Sequence, residues 1–595
     1  MLRLIKNTHR LITAFCNSVI KRRILTDPTK SANMKHNVRR TLARILPTLA
    51  VMVISLIIAH FYYQPFFVPQ KVLAVIYGGA AIIVLMLLWP RLIPAFFATG
   101  ASVILALAVI HSTPGKIITG FCALFAFALI ARRLEIGIIA ILILNASIIS
   151  SSVIPKPITF GGMGFSITEL LLLFMLVLVL FRTGADRKLN LFLNPMAGML
   201  FLFYIMILGS VCLTLIKNSI NHFSAVDFRT IYNAARPLFQ YSFFFVLLLG
   251  IQSKEQLTRV IRSAIWIAAI VSVLMIIQYF IAPSGKSVFL GRPDYIITIS
   301  DSKEDANVAR SVPPGLALIV PLFIVTILDV ANKKIRNASL STITTAILGL
   351  GILFSFYRSF WLSTIIGLFI AWLFSKRLIK ARLTLFIISS IVLMFVGSVV
   401  ITNVASPMAG RFDQAIIHRF ASVFNLSAFN STSLKTRFNE NHKAISNIKK
   451  NPVFGIGVGN PIRYVRAVNP ITRGQVLVPV NMMHNSFLEL WLVYGIFGVF
   501  CFGGLSTIFL LRCYQLFKKV NDPIYKSFTL AFFVAYIGYL LRCQTQMHIL
   551  HDISQISTVA FLWGFIEVVL RFYREGKLHE NPPNSTKCKN SLVQR

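Results

Sequence analysis

The chain has 595 residues, of which 56% are hydrophobic and 13% charged, with a formal net charge of +40. Soluble proteins carry about 25% charged residues, so a water-soluble globular enzyme is excluded, and the recurring apolar runs near membrane-spanning length specify transmembrane helices. The positive excess does not point to nucleic acid, because Lys and Arg sit in short loops and tails and no aromatic-interleaved basic module, zinc motif or helix-turn-helix is visible.

In chain order, residues 1–44 form a basic segment whose weak apolar stretch is followed by many charges, unlike a signal peptide. Apolar runs then fall near 45–63, 72–89, 92–111, 116–131, 134–154, 166–182, 195–216, 237–252, 259–281, 312–330, 341–356, 359–375, 383–404, 484–511, 526–542 and 553–573. The alternation of a membrane barrel is absent. The expected fold is all-α: a polytopic transmembrane helical bundle of about 12–16 spans, with a long periplasmic loop carrying an amphipathic helix. It divides into N-terminal helices (45–190), a transmembrane core (195–404), the loop (405–483), C-terminal helices (484–573) and a basic tail (574–595). The basic end segments suit anionic lipid better than chemistry. There is no internal repeat.

With the N-terminus in the cytoplasm, more than half of the 59 Lys and Arg fall on the cytoplasmic side. Such loops include Arg132-Arg133, Lys376-Arg377 and Lys518-Lys519. The positive-inside rule therefore puts both termini in the cytoplasm and the 405–483 loop outside. The seven cysteines are scattered, without a CxxC pair, and suggest neither a disulfide framework nor a metal site.

External arginines are then the scarce class. Arg229 and Arg236 precede the span at 237, Arg310 precedes the span at 312, Arg358 lies in the tight turn SFYRSFW, and Arg437 lies in LKTRFNENHKAISNIKK. An arginine near membrane depth costs about 2.5–3.5 kcal/mol on insertion scales, and its planar fork matches phosphate oxygens. Converging arginines would suit a lipid-linked diphosphate. The competing reading is snorkelling or a structural carboxylate, favoured for Arg229, whereas Arg358, with no acid nearby, favours function.

Within the loop, Leu434, Phe438, Ile445 and Ile448 recur at helical spacing, so residues 434–448 read as an amphipathic helix lying on the membrane or capping a cavity. It ends at NPVFGIGVGN. There Asn451-Pro452 stops the helix, and Gly455, Gly457 and Gly459 read as a loop against the membrane surface rather than a nucleotide fingerprint.

The span that follows opens with MMHNSFLELW. An imidazole titrates near neutral pH, which makes His484 a candidate base. Asn485 and Glu489 share a helical face and could hold a sugar hydroxyl or orient the site. Equally, His484 could cap a helix and Glu489 could be satisfied by a neighbouring helix. A second polar cluster, MHILHDIS, carries His548, His551 and Asp552 at the same face. Consecutive His and Asp do not share a helical face well, and no third external ligand stands out, so no metal is expected and Asp552 is assigned a supporting polar role.

These stretches resemble the O-antigen ligase and polymerase superfamily over roughly residues 195–573. HNSFLELWLVYGIFGVF resembles its His-Asn hallmark, with a nearby acid and Gly-x-x-Gly in the same span. SFYRSFWLSTIIGL resembles its arginine-bearing turn, and TRFNENHKAISNIKKNPVFGIGVGN its arginine and Pro-x-x-Gly-x-Gly loop. The N-terminal spans exceed the usual family count, and VARSVPPG around Arg310 matches only loosely. The resemblance implies an inverting, metal-independent glycosyltransferase without cofactor, in the bacterial inner membrane, whose site faces the periplasm. Its partners would be an undecaprenyl-diphosphate-linked glycan donor and a glycan or lipid A-core acceptor. Arg358, Arg437, Arg310 and Arg236 would hold the diphosphate and His484 would be the base. A ligase, a polymerase and a protein-targeting oligosaccharide transferase share these motifs. A transporter would instead place charges in mid-span, and an export scaffold would not need the His-Asn pair.

Overall fold

The helices follow the apolar runs. The protein is seen in a computed structural model that describes residues 129–146, 148, 158–160, 163–186, 194–220, 228–281, 296–299, 308–332, 339–389, 432–460, 462–468, 475–480, 482–546 and 548–577. The spans expected at 45–63, 72–89 and 92–111, most of 116–131, the later part of 383–404, the basic N-terminal segment and nearly all of the tail lie outside these residues.

From residue 134 onward the described part of each expected run is largely helical; residues 149–154 and 390–404 lie outside the described residues. The helices are α1 (Leu134–Ala146), α2 (Ile167–Asp186), α3 (Pro195–Ile220), a short α4 (Phe228–Ala235), a 3-10 turn (Arg236–Ser242) leading into α5 (Phe243–Gly250), and α6 (Lys254–Ile281). They continue through α7 (Leu316–Asn332), α8 (Ser339–Phe354), α9 (Arg358–Phe374) and α10 (residues 377–389). After α11 (Thr432–Lys450) come α12 (Ser486–Lys519), α13 (Pro523–Cys543) and α14 (Ile553–Arg574). The fold is an all-α polytopic helical protein. Its connecting segments also hold three two-stranded antiparallel hairpins: β1 (Ile158–Phe160) with β2 (Met163–Phe165), β3 (Ile296–Ile299) with β4 (Val308–Ser311), and β5 (Arg463–Val468) with β6 (Gln475–Val480).

Five described helices are long and apolar enough to cross a membrane: α3, α6, α12, α13 and α14. Helices α1, α7, α8 and α9 are apolar but shorter. Burial divides them by position. The apolar window of α14 is 94% buried, that of α3 only 28%. Helix α14 is thus the centre of the bundle, where Trp563 stacks on Tyr241 with ring centroids 5.3 Å apart. Helix α3 turns Ile205 and Leu208 outward, as a helix solvated by hydrocarbon can.

Helix α12 is 34 residues long, roughly 50 Å if straight, well beyond a hydrocarbon core of about 30 Å. It does not run straight. Gly495 has φ 69 and ψ −166, outside the helical region. The break separates a short first half, carrying Ser486 and Glu489, from the longer stretch ending at Lys519.

The loop NPVFGIGVGN fills that break. The freed carbonyls of Leu492 and Val493 accept from the backbone N–H of Ile456 (2.8 Å) and Gly457 (3.1 Å), while the N–H of Ile496 donates to the Pro452 carbonyl (3.1 Å). A Cβ on Gly495 would collide with the Val453 carbonyl, and one on Gly455 (φ +70) would sit 2.6 Å from the Leu492 carbonyl. The glycines therefore permit backbone to pack on backbone. The loop, expected against the membrane surface, is also bonded into the break of α12, with Val453 and Phe454 left exposed.

Candidate functional site

The start of α12 is fixed by Asn485. Its side-chain oxygen accepts from the N–H groups of Phe487 (3.1 Å) and Leu488 (3.2 Å), a conventional N-cap. Sequence reasoning offered Asn485 as a sugar-binding or orienting residue; its carbonyl oxygen is committed to the helix. The cap sets where the preceding residue, His484, can point.

His484 faces an acid that sequence reasoning did not select. Its Nδ1 lies 2.9 Å from Oε2 of Glu440, and its backbone N–H donates to the same oxygen at 3.4 Å. The Glu440 side chain is 3% exposed and that of His484 38%. A carboxylate acceptor places the proton on Nδ1, so the lone pair is assigned to Nε2 on the accessible ring. The arrangement is an accessible imidazole oriented by a buried acid, the geometry that a general base requires.

Glu440 arrives on α11, which lies near the expected 434–448 range. Its buried face is not the one read from apolar spacing. Glu440, Ala444 and Ile448 are buried, whereas Phe438 is 58% and Ile445 43% exposed. Ala444 and Ile448 pack with Met483 and Leu492 beside the His484 segment. The inward face is thus partly polar, with Ile448 its one large apolar residue among those described, while Phe438 and Ile445 point outward. Glu440 is the lone acid among residues 432–450, which was the available signal.

Two more imidazole–carboxylate pairs lie nearby. Nε2 of His551 is 2.7 Å from Oε1 of Glu489, whose side chain is wholly buried. Nδ1 of His548 is 3.2 Å from Oδ2 of Asp552, and Asp552 also caps α14 through the N–H groups of Ser554 (3.1 Å) and Gln555 (3.2 Å). Burial works against the Asp552 charge, but the bonds from His548, Ser554 and Gln555 outweigh it and hold its carboxyl below the usual range. Burial pushes His548 down, and Asp552 only partly restores it. The turn between α13 and α14 is held in place from both sides. Ser486 Oγ donates to the Gln546 carbonyl, Tyr241 OH donates to the Ile549 carbonyl (3.1 Å), and Gln546 Nε2 donates to Tyr357 OH and to Ser359 Oγ (3.0 Å).

These bonds bring Arg358 to the same end of the bundle, since Tyr357 and Ser359 flank it. Arg358 is the first residue of α9, half-buried, after Phe356, a buried residue in the left-handed region (φ 48). Such backbone strain persists only where packing over-determines it; Phe356 stacks on Tyr279 with centroids 5.8 Å apart. Arg437 is on α11, one turn before Glu440, half-buried, and its Nε is buried without a hydrogen-bond partner. Arg236 differs: it forms an ion pair with buried Glu169, so its charge already has a structural counterpart. Arg229 is exposed. Arg310 lies on β4, in register with Ile297.

Among the described residues no group of three or more His, Cys, Asp or Glu is placed to hold a metal ion. Each imidazole of the cluster faces a carboxylate instead.

Residues 343–503 match the family model described as O-antigen ligase. The matched segment runs from α8 to the middle of α12 and contains Arg358, Arg437, Glu440, His484 and Glu489. Over this segment, about a quarter of the chain, the protein is similar to the O-antigen ligase family. No curated protein matches the chain.

Proposed function

We propose that the chain transfers a glycan from undecaprenyl diphosphate to an acceptor hydroxyl at the periplasmic face of the bacterial inner membrane, in the manner of an O-antigen ligase acting on lipid A-core. The observation that carries this reading is the His484–Glu440 pair. An accessible imidazole is tied through Nδ1 to a buried acid at 2.9 Å, at the end of the bundle that also holds Arg358 and Arg437.

In the proposed reaction, Nε2 of His484 takes the proton of the acceptor hydroxyl as its oxygen attacks the anomeric carbon of the donor. The new C–O bond forms as the bond from that carbon to the phosphate oxygen breaks, so the anomeric centre inverts and undecaprenyl diphosphate leaves. Glu440 holds the ring and stabilises the imidazolium that forms. Arg358 and Arg437 would bind the diphosphate as guanidinium forks; Arg310 and Arg236 have the same expected role, with Arg236 already neutralised by Glu169. No metal or cofactor has a part in this scheme.

The test is glycan transfer by purified protein in liposomes with a lipid-linked donor and an acceptor. His484→Ala should fold normally and lose transfer by roughly 10²–10⁴-fold, the usual contribution of a general base. Full activity of the folded variant would overturn the reading. Glycan profiles of cells lacking the gene separate two chemistries: long polymer on the carrier with a bare core identifies a ligase, single repeats on the core a polymerase.

A further inference from the structure

Arg542 is the last residue of the apolar run 526–542. It lies in the last turn of α13 and is 4% exposed. Its Nη2 is 3.4 Å from Oε1 of Gln555, and its guanidinium lies 4.0 Å from the ring centroid of Phe360. No carboxylate forms an ion pair with it among the described residues. The acid on the neighbouring turn, Asp552, is committed to His548, Ser554 and the cap of α14. Nε and Nη1 of Arg542 are buried without a hydrogen-bond partner. A guanidinium is always charged, and burying one with no ion pair, one long hydrogen bond and two unsatisfied nitrogens is unfavourable in a protein and more so in a bilayer.

Two further atoms close by in the chain share that condition. Gln546, whose amide nitrogen is fixed on Tyr357 and Ser359, has a buried Oε1 without a partner, and His548, whose Nδ1 is fixed on Asp552, has a buried Nε2 without one. The cation thus comes with fixed neutral polar groups beside it. Phe360, the ring beneath Arg542, is two residues beyond Arg358 on the same helix start. Two permanent cations therefore bracket one turn of α9, and the ligand chemistry that matches is a phosphoryl group, with two or more anionic oxygens and acceptors for each fork.

We infer that Arg542 is a phosphoryl-binding residue, contacting anionic oxygens beside those held by Arg358, with Gln546 and His548 bonding the hydroxyls or waters that accompany them. This rests on the reading of the site as one for a diphosphate-linked donor. It adds a residue from α13, beyond the matched segment 343–503.

The experiment measures binding to the purified full chain in nanodiscs, with undecaprenyl diphosphate and inorganic pyrophosphate as separate probes, for wild type, Arg542→Met and Arg542→Lys. Arg542→Met removes an unpaired buried charge, so its unfolding temperature should equal or exceed that of wild type. Its affinity for the lipid diphosphate should fall roughly 10- to 100-fold, the loss of one or two charge-assisted bonds. Arg542→Lys should recover part of it, keeping the charge but not the fork. Wild-type affinity of Arg542→Met for both probes would overturn the inference; should that variant not fold, wild-type affinity of Arg542→Lys would do the same. Arg542-dependent binding of pyrophosphate alone would sustain the anion site and remove the lipid-linked donor. Binding of neither probe to wild type would remove both.

Discussion

The two ends of the bundle manage charge differently. Away from His484, carboxylates pair with permanent cations: Glu135 with Arg259 at 2.9 Å, Asp522 with Lys254 at 3.5 Å, Glu567 with Arg512 at 3.6 Å and Glu575 with Lys577 at 2.6 Å. At the His484 end, one such pair, Glu169 with Arg236, stands beside three carboxylates that face imidazoles. Among the described residues Arg542 forms no ion pair, since Asp552 on the next turn is committed to His548 and Ser554. A guanidinium–carboxylate pair keeps its protons at any physiological pH, whereas an imidazole can gain or lose one near neutrality. The first end pairs permanent charges, whereas the second carries the imidazoles and arginines that the proposed transfer would use.

Removing charge from each end in turn would sharpen or break that contrast. The largest effect on stability should come from Glu567→Gln, which strands Arg512 against a buried partner that is 4% exposed. A loss of about 3 kcal/mol is expected, read as a lower unfolding temperature, with the surviving folded protein fully active. Glu440→Gln should do the reverse. Transfer should fall by about 10²-fold or more, mainly in kcat, with the unfolding temperature nearly unchanged, since the amide still reaches Nδ1 but no longer stabilises an imidazolium. If Glu440→Gln merely unfolds the protein, α11 is a structural clamp and the base lacks its orienting acid. Glu489→Gln should be milder, about 1 kcal/mol, because an amide at this position can still hydrogen-bond Nε2 of His551.

The smallest effect concerns pH at the α13–α14 turn. His548 is pushed down, so the fold prefers it neutral, and that contribution is full above its unfolded value of about 6.5 and fades as pH falls below it. Asp552 is also pushed down, so its contribution likewise weakens on acidification, at lower pH. Protection of the amides of residues 545–552, taken as exchange relative to the intrinsic rate at each pH, should fall several-fold between pH 7 and 5, and less so in His548→Gln. Protection that is flat with pH would remove the titratable character of this end.

Helix positions were legible in the sequence because an apolar run of membrane-spanning length has few alternatives. The described helices from α1 to α14 fall where the runs predicted, apart from the short, amphipathic α4 and from α11, which was expected from apolar spacing in the loop. His484 and Asn485 were legible as a motif, and Arg358 by its place in a tight turn. What stayed hidden was pairing. Glu440 meets His484 across 44 residues and His551 meets Glu489 across 62, with no local pattern to announce either. Apolar spacing on α11 misled for a related reason. A helix between lipid and a polar site can send Phe438 and Ile445 outward and Glu440 inward, inverting the rule for water-soluble helices. Arg542 was hidden because a lone arginine ending an apolar run resembles ordinary snorkelling.

The break at Gly495 has a consequence for assembly. Within a bilayer no water can accept the Ile496 N–H or donate to the Leu492 and Val493 carbonyls, and the segment Pro452–Gly457 does so instead. That segment precedes α12 in the chain, so it is synthesised first and can be waiting when the helix enters. A circular permutation that places α12 ahead of its loop would insert the helix with its backbone open, and should stall where the native order completes.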